Sequence, residues 1–386
     1  MSTAIAAIYG RIAWGMFERF DDFTDHLLWA QQLYETGLPA MPHFLFHGLT
    51  ALLYASPLFR SLLTAGASVI IGAYFMLGVA TYAFLWNGLG QYRHSAPWLL
   101  GLMTIATIVA QPITLEPAYA LGYLWSEPYH SATYSLLKPF ALAGFAFTTW
   151  FISRHQRVRA DVVALFAVVI VLGALSKPNF IICLLPAAAA VSAFRLWRGL
   201  PLNAGALVAG LFIPAILVLG WQFLVTFSGV DVVAGMYRDS VTWSPMKFMD
   251  YWATGLSTKF AASAMFPIAV AAFYWPHVRR DTMMQLAWLC FAFGVLFTYG
   301  VVQEVDWTSG DFVWSGYISL FILLVATTVF WLRQLTTGLR GWVLARALIC
   351  GAVFVLHVAS GARLAWLYLT HFACRVDLRL VQFVCD

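Results

Sequence analysis

Residues 61–86 read SLLTAGASVIIGAYFMLGVATYAFLW, 26 consecutive positions without a charge. About 20 such residues, as a helix, cross the hydrocarbon core of a bilayer. A helix apolar all round belongs inside a large core or in lipid. Comparable stretches recur along the chain, and the expected spans are 2–17, 61–86, 97–115, 132–152, 162–177, 178–194, 205–227, 260–275, 283–301, 312–332 and 342–361. Composition agrees: of 386 residues, 62% are hydrophobic and 10% charged, and mean hydropathy is +0.79. Soluble domains carry roughly a quarter charged residues. A soluble enzyme, a disordered chain and a nucleic-acid binder are therefore excluded. The net charge of +5 brings no basic stripe and no zinc-ligand spacing. The expected fold is an all-α polytopic membrane protein of about eleven helices, with a range of about ten to twelve.

Two stretches test this reading. Residues 43–58, HFLFHGLTALLYASPL, are apolar but 16 long, and are read as a helix lying at the membrane surface. Residues 162–194 provide 33 positions for two spans, with Lys177-Pro178-Asn179 as the turn between them. Arg11 interrupts the first apolar stretch and no cleavage site follows, so a removable signal peptide is not expected.

Charge sets the expected orientation. Loops 87–96, 153–161, 195–204, 276–282 and 333–341 hold ten Lys/Arg in 45 residues, with Asp161 and Asp281 as their acids. Segments 18–60, 116–130, 228–259, 302–311 and 362–386 hold eight Lys/Arg in 125 residues, and 15 of the 17 acids. Basic residues concentrate on the cytoplasmic side of membrane proteins. The N-terminus is thus expected inside, and the C-terminus and the acidic segments outside. The chain reads as one transmembrane unit over 1–361, with loop helices within 18–60 and 228–259 and an exoplasmic tail, 362–386.

The first long loop carries Asp21, Asp22 and Asp25 beside His26, followed by His43 and His47. Phe23, His26, Leu27, Ala30, Leu33 and Tyr34 recur at helical spacing, and Gly37 with Pro39 ends the pattern. Acids clustered at a membrane edge can face water, act as a general base or bind a divalent ion. Asp21 and Asp25, four apart, are the weak candidates for magnesium or manganese; no cofactor is required by the sequence. His43 and His47 are expected on one helix face, suited to hydrogen-bonding phosphate or sugar hydroxyls, without the HExxH or thiolates of a zinc site. Glu116, Glu127 and His130, with Tyr119, Tyr123, Trp125 and Tyr129, suggest either an interfacial aromatic belt or a sugar-stacking face. Arg238, Glu304 and Trp307 add polar and aromatic groups on the same side.

Charges within spans are costly and informative. Lys138 and Lys177 both fall near the exoplasmic ends of their spans, at the level of a lipid phosphate or able to snorkel to the interface. Arg11 needs a partner or a crevice, Arg346 is near enough to an end to snorkel, and His357 reads as a helix–helix hydrogen bonder. Cys183, Cys290 and Cys350 lie in apolar runs as small buried hydrophobes. Cys374 and Cys385, in the exoplasmic tail, are expected to form a disulfide.

The pattern resembles the GT-C superfamily of polytopic glycosyltransferases, which use polyprenyl-phosphate-linked sugars. The resemblance is carried by the acidic group Glu18, Asp21, Asp22 and Asp25 after the first span, by surface helices at about 22–36 and 43–58, and by SKPNFIICLLPA at Ser176–Ala187. Asp22-Phe23 with His26, and the stretch from Glu304 to Trp314, add to it. The resemblance implies a GT-C-like bundle, a catalytic acid at Asp22 or Asp21, and a site facing the periplasm of a bacterial inner membrane. It implies a polyprenyl-phosphate sugar donor and a role in envelope polysaccharide synthesis. Larger members carry a soluble C-terminal domain where this chain has a 25-residue tail, so a glycan or glycolipid acceptor is expected rather than a protein.

Independently of that likeness, inverting transfer needs a carboxylate base, cations for the departing phosphate, and a face that holds the sugar. Asp22 or Asp21 can supply the first, Lys138, Lys177 or Arg238 the second, and Trp307 or Tyr123 the third. The competing readings are a polysaccharide polymerase or O-antigen ligase, and a flippase or transporter of lipid-linked saccharide. Ligases usually carry their largest loop late in the chain. Transporters often repeat a broken helix in both halves, whereas 162–194 has no counterpart.

Overall fold

The computed structural model describes residues 1–18, 22–90, 97–114, 122–126, 129, 131–154, 158–227, 240–305, 307–308, 310–335 and 341–370, and the backbone of 375–377 and 382–384. The protein is built almost wholly of helices. In order they are α1 Ser2–Phe17, α2 Asp22–Thr36, α3 Leu45–Tyr54, α4 Leu62–Gly88, α5 Pro97–Val109, α6 Ala132–Ser153, α7 Ala160–Ser176 and α8 Asn179–Trp197. There follow α9 Ala204–Leu207, a π turn Val208–Phe212, α10 Ile213–Phe227, α11 Lys247–Trp252, α12 Leu256–Ser263, α13 Met265–Val278, α14 Thr282–Gly300, α15 Val313–Leu335 and α16 Gly341–Thr370. Two antiparallel pairs complete it: β1 Val241–Trp243 with β2 Val301–Gln303, and β3 Arg375–Asp377 with β4 Gln382–Val384.

Each of the eleven apolar segments is mainly helical, the one at 260–275 as two helices. By length and hydropathy, seven helices among the described residues can cross a membrane, or eight if the bent pair α12–α13 counts as one span. The protein is therefore a multi-pass membrane protein that contacts lipid. The helices α1, α5 and α7 fall short of that test, with 16, 13 and 17 residues. The span expected at 260–275 is in fact α12 and α13, bent by 68° at Ala264. The last helix continues to Thr370, nine residues beyond the expected boundary at 361.

The core sits around α15, whose most apolar stretch is wholly buried. A helix apolar on every face can occupy such a position, and α15 reads VWSGYISLFILLVATTVFW over Val313–Trp331. Helices α10 and α16 lie at the periphery, each burying little of itself. Local chemistry sets several boundaries. Ser61 and Asp281 cap α4 and α14, each accepting from the backbone N–H three residues on, at 3.2 and 3.0 Å. Gly37 ends α2 with φ +72°, its N–H bonded to the Leu33 carbonyl at 2.9 Å.

The turn between α7 and α8 follows from one proline. The residue before proline is driven out of the α region, and Lys177 is extended at φ −166°, ψ 127°. Pro178, lacking an N–H, costs nothing at the start of α8. Residues 160–197 are thus two helices, as expected.

The arginine-bearing loops meet at one end of the bundle. Arg333 bonds the Gly88 carbonyl at 2.6 Å and Asp281 at 3.3 Å. Arg195 donates to Thr282 Oγ1 at 2.9 Å, and Asn203 N–H reaches the Phe151 carbonyl at 3.0 Å. The first loop, the 177–179 turn and residues 310–315 gather at the opposite end.

Candidate functional site

The site is built where α2 and α3 cover the bundle at the 177–179 turn. Asp22 stands in the first turn of α2, where the helix dipole favours a carboxylate. Its side chain is 39% exposed, and Oδ2 lies 3.5 Å from His26 Nε2 one turn on. The other His26 nitrogen, Nδ1, hydrogen-bonds His47 Nε2 on α3 at 2.8 Å. Both imidazoles are buried, at 3% and 0% exposure. Trp29 packs its edge against both rings, and Phe46 lies against them on the α3 side.

The expectation that His43 and His47 share a helix face is corrected. Helix α3 begins at Leu45 after its cap Phe44 and runs ten residues, so His43 precedes it. His43 still belongs to the cluster, feeling the charges of Lys177, His47, His26 and Asp22. Burial, then Lys177 and the two other histidines, push its imidazole well below its usual range. Burial, followed by His26, drives His47 down to about 3. Both rings are neutral at physiological pH.

Lys177 is the cation of the site. Its Nζ lies 4.5 Å from the centre of the Trp314 ring and 3.5 Å from Thr133 Oγ1. Asp311 and Asp22 are the carboxylates whose fields act on it. Asn179, two residues on, donates to the Asp311 carbonyl at 2.8 Å and to Ser315 Oγ at 3.0 Å. Gln222 of α10 donates to the carbonyls of Pro42 and Ala174, at 3.2 and 3.0 Å, and so fastens the first loop to α7. Asp22, the three histidines, Lys177 and Asp311 thus occupy one neighbourhood, although they span 290 positions of sequence.

The other expected residues lie elsewhere. Lys138 is fully buried in α6, with its ammonium 5.4 Å from the centre of the Tyr134 ring and 4.9 Å from that of Phe321, so it neither snorkels nor reaches the surface. Glu304 bonds the Ser240 hydroxyl beside the β1–β2 pair. Trp307 meets Tyr251 edge-on at 5.0 Å and lies under Lys247 at 4.8 Å. Trp307 and Asp311 line one small cleft together with Phe248 and Val313. Asp25 is exposed on α2.

Tyr123, Trp125 and Tyr129 are buried, which removes them as an interfacial belt or an open stacking face. Their segment is drawn inward by Leu124 N–H to Ser263 Oγ at 2.9 Å and Ser126 Oγ to the Ala110 carbonyl at 2.6 Å. Among the described residues no group of three or more His, Cys, Asp or Glu can hold a metal ion. Asp21, the partner expected for Asp25 in a divalent site, lies outside the described residues, as do Glu116, Tyr119, Glu127, His130, Arg238, Cys374 and Cys385.

Two in-span expectations are met. Cys183, Cys290 and Cys350 are free and buried. His357 bonds the Gln111 carbonyl through Nδ1 at 2.7 Å and accepts from Phe266 N–H at Nε2 at 3.3 Å, which fixes its tautomer. Arg346 stacks its guanidinium 4.4 Å from the centre of the Tyr274 ring, with Nε buried, instead of reaching out to the interface. Arg11 is exposed on α1. Thr133 was missed as a site residue, whereas Asp311 and Trp314 lay within the Glu304–Trp314 stretch without a role assigned to either.

No protein-family model matches the chain, and no curated protein or solved structure is significantly similar to it.

Proposed function

We propose that the protein is an inverting membrane glycosyltransferase of GT-C type, moving a sugar from a polyprenyl phosphate to a glycan or glycolipid. In this reading all eleven apolar segments cross the bilayer, with α1, α5 and α7 as short spans. The arginine-rich end faces the cytoplasm, and the end with Asp22 faces the periplasm of a bacterial inner membrane. The observation that carries it is the convergence of an ionisable carboxylate, Asp22, and a cation, Lys177, at the end of a lipid-facing bundle.

The chemistry needs both charges. Asp22 takes the proton from the acceptor hydroxyl as its oxygen bonds the anomeric carbon. The bond from that carbon to the phosphate oxygen breaks, and its electron pair leaves with the lipid phosphate. Lys177 offsets the charge developing there. Trp307, in the cleft beside Asp311, supplies a flat face for a sugar ring.

The test uses the full chain in nanodiscs. Polyprenyl-phosphate hexoses serve as donors and envelope glycolipid as acceptor, and new glycosidic bonds are read by mass spectrometry. Asp22→Asn is expected to cut turnover by about a thousandfold or more with donor binding kept. Lys177→Met is expected to weaken donor binding. Near-normal turnover of Asp22→Asn removes the assignment of the base. Movement of intact lipid-linked sugar with no new bond favours a transporter.

A further inference from the structure

We infer that His26 is a positioning residue for Asp22, locked in one tautomer by His47, so that α3 sets the geometry of the carboxylate on α2. This inference rests on the proposed transferase reading and adds to it a hydrogen-bond chain, Asp22–His26–His47.

The proton count decides the tautomers. The neutral His47 imidazole carries one ring proton, and the 2.8 Å bond between the two rings uses one proton. In one arrangement His47 Nε2–H donates to His26 Nδ1, and His26 Nε2–H points at Asp22 Oδ2, 3.5 Å away. The atom left over is His47 Nδ1 as a bare acceptor, and that atom is buried without a hydrogen-bond partner. In the reverse arrangement His26 Nε2 turns a lone pair toward a carboxylate, and His47 Nδ1 becomes a buried donor with nothing to receive it. Buried donors without partners are rarer and costlier than under-used acceptors. The first arrangement is the one that the surroundings stabilise.

Its consequence is directional. Asp22 lies at the start of α2 with its side chain 39% exposed. A donor at His26 Nε2 holds Oδ2 and so orients the carboxylate for the acceptor hydroxyl. Catalytic contacts are often long before substrate arrives, and 3.5 Å is within what closure shortens. His26 cannot turn away, because its other nitrogen is fixed to α3 and Trp29 packs against both rings.

Two isosteres separate positioning from packing. In His26→Gln the amide nitrogen takes the place of Nε2 and can still donate to Asp22. In His26→Asn the amide takes the place of Nδ1 and cannot. With polyprenyl-phosphate hexose as donor and envelope glycolipid as acceptor, His26→Gln should keep kcat within about tenfold of the native protein. His26→Asn should lose about a hundredfold, with donor KM unchanged in both. In an Asp22→Asn background, His26→Asn should cost nothing more. Equal losses in the two variants, a fully multiplicative loss in the double variant, or an effect on donor KM alone would overturn the inference.

A second arm needs no turnover. Ring-nitrogen NMR of protein labelled with 15N-histidine should find His26 protonated at Nε2 and bare at Nδ1, and the reverse tautomer overturns the chain of bonds. Should the native protein form no glycosidic bond at all, the proposed function fails and positioning for transfer fails with it. The NMR arm still decides whether the chain of bonds exists.

Discussion

The side-chain amide of Asn179 donates to the carbonyl oxygen of Asp311 across 2.8 Å, joining residues 132 positions apart. The same nitrogen also donates to Ser315 Oγ at 3.0 Å. This pair of bonds holds the turn after α7 against the start of α15. Lys177, two residues before, thereby comes over the Trp314 ring. A single side chain therefore fixes the cation of the site relative to the central helix.

Replacing that amide should be costly. Asn179→Ala removes both bonds and takes a donor from the buried Ser315 hydroxyl, a loss of about 1–3 kcal/mol. Asn179→Asp should be worse, since it sets an acceptor against the Asp311 carbonyl. Thermal unfolding in detergent, followed by intrinsic fluorescence, is expected to rank native above Ala above Asp.

Acid should loosen the fold through His47. Its ordinary value is 6.5 and its folded value about 3. Above 6.5 the ring is neutral in both states and contributes no pH dependence. As pH falls below 6.5 the unfolded chain binds a proton that the folded chain refuses, so stability declines until about pH 3. At pH 5 this single group costs about 2 kcal/mol. Melting temperatures measured from pH 7.5 to 5 should fall, and His47→Gln should flatten that slope. An unchanged slope in the variant would assign the acid sensitivity elsewhere.

Close helix packing should be intolerant at Gly294. A Cβ there meets Ser319 Oγ on α15, and comes within 2.6 Å of the Ser315 carbonyl. Backbone cannot yield as a side-chain end can, so Gly294→Ala should destabilise by about 1–3 kcal/mol. Gly72, with open space around its Cβ position, is the control, and Gly72→Ala should melt like the native protein.

Topology is open to labelling in intact cells. Gln31 on α2 and Arg280 after α13 are both exposed and belong to opposite ends of the bundle. In a cysteine-free background, Gln31→Cys should react with an impermeant maleimide and Arg280→Cys only after lysis. The reverse pattern would turn the protein over, and the site with it.

Much of the architecture was legible because lipid imposes a simple rule: backbone groups must be satisfied within each crossing segment. The run at 61–86 and its counterparts obey it, and helix α2 appears at 22–36 as the periodicity indicates. Proline chemistry made the 177–179 turn equally plain. Lengths were less legible. Helix α3 stops at Tyr54 and α5 at Val109, short of their apolar runs, because hydropathy does not register where a helix ends. The bend at Ala264 falls three residues before Pro267, whose missing N–H and ring exclude a helical bond back to Ser263, a signal that hydropathy alone passes over.

The sequence by itself determined a lipid-embedded helical protein, the set of segments that share each end, and the acids and histidines of the first loop. Only the tertiary structure decided which of these meet. Hydrophobic periodicity acts within one segment, whereas the Asp22, His26 and His47 chain, the approach of Lys177 and the burial of Tyr123 depend on how segments pack. Packing is set by side-chain shape and by a few long-range hydrogen bonds, such as Gln222 to Pro42 and Asn179 to Asp311. A bond of that kind joins residues whose separation in sequence carries no signal of their contact in space.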